Sequence, residues 1–175
     1  MTFCPPHWYY TEKVLHPKEE IDQVIKDFEA IPLDKHDNLR TTWCRKDGIK
    51  HPEKIWHEKY DEIIANIVCQ LGLYKMFYYS YHFWAQLYKK GQAHGTHNHF
   101  GPNLEPDATI SLVHFIRNSN EKNFTFVNED TNQIYKPKQE EGDIIIFPSY
   151  LYHKVTPNTS DLKRFVVALN ITLEK

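Results

Sequence analysis

The stretch Tyr74-Lys75-Met76-Phe77-Tyr78-Tyr79-Ser80-Tyr81-His82-Phe83-Trp84-Ala85-Gln86-Leu87-Tyr88 marks a change of pattern along the chain. It is aromatic and β-prone, and its length suggests one long strand or two linked ones. N-terminal to it the apolar period is helical. Pro17, followed by Lys18, Glu19 and Glu20, looks like a helix start, with acids near the positive end of the dipole. Ile21, Val24, Ile25 and Phe28 then recur at helical spacing, which predicts an amphipathic helix over 17–30. After a polar loop from Pro32 to His51, Pro52 and Glu53 open a second helix. Its apolar face is Ile55, Tyr60, Ile63, Ile64, Ile67, Val68 and Leu71, with Gly72 as its stop. C-terminal to the aromatic stretch, short strand candidates lie at 108–116, 123–128, 133–136, 143–147, 151–155 and 164–172. Turn signals such as Asn118-Ser119-Asn120 and Glu141-Gly142-Asp143 separate them. Two helices followed by many strands, without alternation, predict a mainly β, closed or two-sheet structure buttressed by N-terminal helices. No linker divides the chain, so a single domain over 1–175 is expected, with 1–72 as helical support and 73–175 as the β core.

The composition fits that reading. The chain has 175 residues, 41% of them hydrophobic and 25% charged, and its net charge of -2 argues against a general nucleic-acid-binding surface. No apolar run reaches the roughly 20 residues of a membrane helix, so no membrane association is expected. Cys4, Cys44 and Cys69 are odd in number and widely spaced, which suits neither a disulfide framework nor a metal knuckle. Cys69 reads as a reduced core residue. Met1 to Tyr10 has no basic and apolar leader pattern, so a cytoplasmic protein is the expectation. The unusual feature is 11 His alongside 25 aromatic residues (4 Trp, 11 Tyr and 10 Phe) and 6 Gly.

The His residues that matter most sit in Gly91-Gln92-Ala93-His94-Gly95-Thr96-His97-Asn98-His99. On a strand His97 and His99 would point to one face, where two imidazoles can grip one metal ion. Gly91 and Gly95 would let the chain bend there. A third His follows in Gly142-Asp143-Ile144-Ile145-Ile146-Phe147-Pro148-Ser149-Tyr150-Leu151-Tyr152-His153, where Ile144 to Phe147 reads as a buried strand and Pro148-Ser149 as a turn. Two ligands from one strand and one from another, facing each other across a small barrel, would make a half-open facial site with positions left for a substrate and dioxygen. A closed structural zinc site would need four protein ligands and more Cys. Eleven residues after His153 comes Arg164, heading the apolar run Phe165-Val166-Val167-Ala168-Leu169-Asn170-Ile171. A cation beside so apolar a strand calls for an anionic partner, such as a carboxylate held by the guanidinium fork.

HxH, a distant His after a Gly-Asp-…-Phe-Pro-Ser turn, then Arg164 and Asn170, resembles the 2-oxoglutarate and Fe(II)-dependent oxygenase superfamily. The chain is most similar to the small phage and marine-bacterial type, over about residues 84–172, with Trp84-Ala85-Gln86-Leu87-Tyr88 as a fitting lead-in. The resemblance implies a double-stranded β-helix, a jelly-roll or cupin-like barrel. It implies Fe(II) held by His97 and His153, with His99 in the third ligand position, and 2-oxoglutarate as cosubstrate. It implies Arg164 on the distal carboxylate of that cosubstrate, with Tyr88 and, by spacing alone, Asn170 as further cosubstrate residues. It implies a dioxygenase that hydroxylates a C–H bond of a peptide side chain or small molecule. The departure from the common pattern is His99, where most of the superfamily has Asp or Glu. Glu105, Asp107 or His94 could take a ligand position instead.

A cupin is the alternative. Gly91-x5-His97-x-His99 and Gly142-x5-Pro148 with His153 fit its two motifs, and Glu105 sits near its Glu ligand. Arg164 is the discriminator, because the cupin motifs do not require it. A barrel that kept the fold and lost the chemistry is a further alternative, which His99 in place of a carboxylate would favour. The loop 100–107 and the helical half are expected to shape the entrance. Most residues of the aromatic stretch, and His7, His16, His36, His51, His57, His82 and His114, read as structural or solvent-exposed.

Overall fold

The structure, a computed structural model, describes residues 10–34, 38–43, 51–72, 78–100, 108–119 and 121–174. Helix α1 (Lys18–Glu29) starts after Pro17 and buries Ile21, Val24, Ile25 and Phe28, the face expected from their spacing. A 3-10 turn over Pro52–Trp56 runs into α2 (His57–Gln70). Helix α2 buries Tyr60, Ile63, Ile64, Ile67 and Val68. Its end is set by Gly72, whose φ of +70° costs a residue without Cβ little, and whose N–H donates to the Cys69 carbonyl. Three expectations for this helical region are corrected. Ile55 lies on the 3-10 turn, off the α2 period, and is exposed, and Leu71 is exposed at the cap. Cys69 is exposed because it sits one step, about 100°, past buried Val68.

Among the described residues, ten strands form two antiparallel sheets: β1 (Tyr10–Lys13), β2 (Arg40–Thr41), β3 (Tyr78–Tyr88), β4 (His94–His97), β5 (Ile110–Arg117), β6 (Phe124–Val127), β7 (Ile134–Tyr135), β8 (Asp143–Pro148), β9 (His153–Val155) and β10 (Arg164–Glu174). The larger sheet has the order β1-β8-β5-β10-β3-β2 and the smaller β4-β9-β6-β7. The aromatic stretch is one strand from Tyr78 on; its residues 74–77 lie outside the described residues. The expected strands over the C-terminal half are all present, with ends shifted by up to two residues in either direction. The short edge strands β1 and β2 were not expected. β1 gains its conformation from pairing with β8, Tyr10 opposite Ile146 and Lys13 opposite Asp143.

The central strands of the larger sheet are buried on both faces, so they read as nearly continuous apolar runs, and alternation along each strand decides what each side chain meets. Phe165, Val167, Leu169 and Ile171 of β10 face the helices, together with Ile144 and Ile146 of β8 and Phe83, Ala85 and Leu87 of β3. Phe28 of α1 meets the Phe165 ring edge-on at 5.1 Å. The alternate residues, Val166 and Ala168 of β10, Ile145 and Phe147 of β8, Trp84 and Tyr88 of β3, face the smaller sheet with Phe124 and Phe126 of β6. Arg164 belongs to this second set, directly opposite Tyr88 in the β10–β3 register.

The connection into β8 depends on Gly142. Its φ is +84°, and a Cβ there would fall 2.5 Å from the Leu15 side chain and 2.9 Å from the Val14 carbonyl oxygen. Its N–H donates to the Phe115 carbonyl and its own carbonyl accepts from Val14, so this tight turn ties β1, β5 and β8 together.

Candidate metal centre

The two sheets enclose a cavity of about 490 Å³. His97, His99, His153, Arg164, Tyr88 and Gln86 all line it. Trp43, Trp84, Thr41 and Asp34 extend the wall. His153 starts β9 and stands directly opposite His97 of β4 in the antiparallel register, with ring centroids 4.3 Å apart. The third His is therefore a cross-strand neighbour within the smaller sheet, not a residue facing the pair across the barrel. β4 ends at His97, so His99 does not share a strand face with it. His99 is brought back by its backbone N–H, which donates to the Ser149 carbonyl at 2.9 Å. One nitrogen from each of the three rings lies within 4.8 Å of the others. Among the described residues, this is the only group of His, Cys, Asp and Glu close enough to hold a metal ion, and it contains no carboxylate.

The hydrogen bonds prepare two of these rings for coordination. His97 Nδ1 lies 2.8 Å from the Gly95 carbonyl oxygen, and His153 Nδ1 lies 2.9 Å from that of Leu151. A carbonyl only accepts, so Nδ1 carries the proton in both and Nε2 keeps its lone pair. Burial and the neighbouring imidazoles hold the His99 and His153 rings in their neutral form. His99 is pushed down to about 3, mainly by burial and then by His97 and His94. His153, 3% exposed, is pushed well below the usual value by burial, His97 and His99. Neutral imidazole is the form that binds metal.

Arg164 is only 1% exposed. Its guanidinium carbon lies 5.0 Å from the Tyr88 ring centre and 5.4 Å from that of Phe115. Nε, Nη1 and Nη2 all lack a hydrogen-bond partner within the protein. Burial lowers its affinity for its proton, to about 10, yet it remains a cation at neutral pH. An unpaired buried cation costs several kcal/mol, so this side chain is built for an anion that enters the cavity. The Tyr88 hydroxyl donates to Gln86 Oε1 at 2.8 Å.

Other expected residues are placed differently. Asn170 does not line the cavity; its amide meets His99 Nδ1 at 3.1 Å and Ser111 Oγ at 2.9 Å. His94 lines the cavity and stacks on His97, with centroids 4.3 Å apart, but does not join the three-nitrogen group. Glu105 and Asp107, like the loop 101–107, lie outside the described residues. Sequence reasoning passed over Trp43, which packs edge-on against Trp84 at 4.3 Å and stacks on His82 at 4.7 Å. The signal for it was a Trp within an otherwise polar loop, a residue type that is costly to leave in water.

Against known families, residues 82–170 match the family model described as "Putative 2OG-Fe(II) oxygenase". The chain belongs to this 2-oxoglutarate and Fe(II) oxygenase family. The match spans Tyr88, His97, His99, His153, Arg164 and Asn170, and decides for the oxygenase against the cupin. Membership implies Fe(II) and 2-oxoglutarate, and both fit what is present: three clustered imidazoles and an unpaired guanidinium in the wall of one cavity.

Among solved structures, a Pseudomonas putida prolyl-4-hydroxylase is 13% identical, with a TM-score of 0.67, covering 97% of this chain and 94% of that one. A viral collagen prolyl hydroxylase from Paramecium bursaria chlorella virus-1, solved with 2-oxoglutarate, is 17% identical, with a TM-score of 0.61 and 98% and 99% of the two chains covered. A Trichoplax adhaerens prolyl hydroxylase, in complex with a hypoxia inducible factor peptide fragment, is 13% identical, with a TM-score of 0.60, covering 93% and 82%. These likenesses establish the double-stranded β-helix fold. No curated protein matches the chain. Among the described residues, no helix is long and apolar enough to cross a membrane.

Proposed function

We propose that the protein is a hydroxylase in which His97, His99 and His153 hold Fe(II) and Arg164 holds the distal carboxylate of 2-oxoglutarate. The observation that carries this reading is Arg164, buried in the wall of the three-His cavity with all three side-chain nitrogens unpaired. When bound, Fe(II) with 2-oxoglutarate and dioxygen supplies the oxidising chemistry that replaces a C–H hydrogen with hydroxyl. The chain's own residues bind and orient. The three donors are imidazoles, so the charge on the metal is not offset by a protein carboxylate. Arg164 fixes one end of the dianion, and Tyr88, whose ring lies against the guanidinium, limits how that end can turn. Trp43 and Trp84 keep water from one wall and leave an apolar surface against which a substrate can lie. The substrate is a peptide side chain or a small molecule; the prolyl hydroxylase neighbours favour a peptide. The helices and both sheets act as one domain, since α1 and α2 share a core with the larger sheet. The cysteine pattern fits a reducing cytoplasm.

The test is an anaerobic titration of the Fe(II) protein with 2-oxoglutarate. A weak visible charge-transfer band should appear on binding and be lost, with tight binding, in Arg164→Ala. If the wild type shows neither band nor tight binding, and Arg164→Ala changes nothing, the hydroxylase reading fails.

A further inference from the structure

Two of the three imidazoles have their tautomer fixed by backbone carbonyls, of Gly95 and Leu151. The third does not. In the structure Asn170 Nδ2 lies 3.1 Å from His99 Nδ1 and Asn170 Oδ1 accepts from Ser111 Oγ, but an amide turned over presents its oxygen to the ring and accepts instead of donating. The proton position on His99 is therefore set by which way one side chain points.

The consequence is large because the two choices are exclusive. With Nδ2 toward His99, the amide donates to Nδ1, the ring proton sits on Nε2, and Nε2 has no lone pair to give. A half-turn of the amide exchanges oxygen and nitrogen at the same positions. Oδ1 then accepts from His99 Nδ1–H, and Nε2 becomes a donor to metal. The hydroxyls beyond the amide permit either orientation. Ser111 Oγ lies 2.9 Å from Asn170 and 2.9 Å from Ser149 Oγ. When Asn170 Nδ2 points at Ser111, the Ser111 hydroxyl accepts from it and donates onward to Ser149 Oγ. Ser111 is 2% exposed and Ser149 0%, so water does not compete for these hydroxyls. The same Ser149 accepts the His99 backbone N–H through its carbonyl. Ring and backbone of the third imidazole are thus held by one short buried chain, His99–Asn170–Ser111–Ser149.

We propose that Asn170 is a positioning residue for the third metal ligand: with Oδ1 toward His99 and Nδ2 toward Ser111, it keeps the His99 proton on Nδ1 and leaves Nε2 to the metal. Two imidazoles and a carboxylate would need no such device, since a carboxylate has no tautomer. Replacing that carboxylate by His creates the need, and Asn170 on the facing strand meets it. The inference rests on the proposed three-His metal centre.

The experiment uses Zn(II), a diamagnetic probe of the same site, with two readouts. Long-range 15N–1H correlation on the zinc-loaded wild type should show His99 protonated at Nδ1; an unprotonated His99 Nδ1 overturns the proposal. Zinc affinity by chelator competition should fall about ten- to a hundredfold in Asn170→Leu, the size usual for partners of metal-bound His. Asn170→Asp, which accepts from both His99 and Ser111, should hold wild-type affinity or exceed it. Wild-type affinity in Asn170→Leu, or an equal loss in Leu and Asp, overturns the role of Asn170. His153→Ala separates the two claims. If it binds zinc as well as wild type, the metal centre itself is wrong and this inference falls with it. If His153→Ala loses zinc while Asn170→Leu does not, only the role of Asn170 is wrong.

Discussion

His114 and Arg164 are both buried polar side chains on central strands of the larger sheet, one at 0% and the other at 1% exposure. They face opposite sides of it. His114 looks toward the helices, where Tyr60 Oη meets its Nδ1 at 2.7 Å and its Nε2 donates to the Val14 carbonyl at 2.9 Å. Both ring nitrogens are satisfied by the protein. Arg164 looks toward the smaller sheet and has no partner for any of its three nitrogens. Burial alone therefore says little about function; what separates structural from functional here is whether the fold itself supplies the partner. A polar group that the fold completes stiffens the core, and one that it leaves open is a statement about a ligand.

The largest effect should come from Arg164→Met, which keeps the volume and removes the charge. Binding of 2-oxoglutarate should weaken by about 30-fold or more, the loss typical of one partner of a buried charge pair. The ligand-free protein should be no less stable, and up to about 1–4 kcal/mol more stable, because an unpaired buried cation is replaced by an apolar chain. Calorimetric titration and thermal unfolding check the two halves. If the variant binds as wild type, or melts several degrees lower, the contrast with His114 is lost.

His114→Leu should do the reverse. It strands the Tyr60 hydroxyl and the Val14 carbonyl, at a cost of about 1–3 kcal/mol for each unsatisfied group, and leaves 2-oxoglutarate and metal affinities unchanged. Adding Tyr60→Phe should recover part of the loss, since removing both partners of a hydrogen bond costs less than removing one. Denaturant unfolding of the single and double variants measures this. A double variant that loses the sum of both single effects would show that the bond is not what holds His114.

This contrast also explains what could be read from sequence. His97 and His153 were legible because two short motifs carry them, and Arg164 because a cation heading an apolar strand has to be accounted for. The parity of β10 puts 164, 166, 168 and 170 on one face, but not which atom Asn170 meets. That depends on how the chain after β4 turns back to Ser149, a tertiary contact with no local signature. His99 was expected beside His97 on one strand face; the strand stops at His97, and a backbone hydrogen bond does what periodicity was expected to do. β1 was invisible because four residues, Tyr10-Thr11-Glu12-Lys13, become a strand only through β8.

Acid should expose the His114 side of the comparison more gently. Burial holds His114 at about 3 in the folded protein, against 6.5 for the ordinary side chain. The unfolded chain therefore takes up the proton first. The stability this neutral ring contributes is whole above about pH 6.5 and declines as pH falls toward 3, by at most about 1.4 kcal/mol per pH unit for one proton. In His114→Leu the slope between pH 6 and 4 (both about mid-window) should be shallower by up to that amount, as read from unfolding free energies across the range. An identical slope would mean that His114 is already charged, or hydrated, in the folded state.

The smallest effect should mark where the open region ends. His94 stacks on His97 with the rings 23° apart, yet lies outside the three-nitrogen group. A stacking contact of this kind, at a partly exposed site, is worth about 0.5 kcal/mol, so His94→Ala should weaken metal binding only about two- to threefold. His99→Ala, which removes one of three donors, should cost far more. Should His94→Ala instead match His99→Ala, the metal would be held by a different set of imidazoles. The stacked pair would then be a ligand pair, and the Asn170 side chain would be orienting a ring that never reaches the ion. Chelator competition on the two variants side by side decides between these arrangements, because the predictions differ by more than an order of magnitude in affinity.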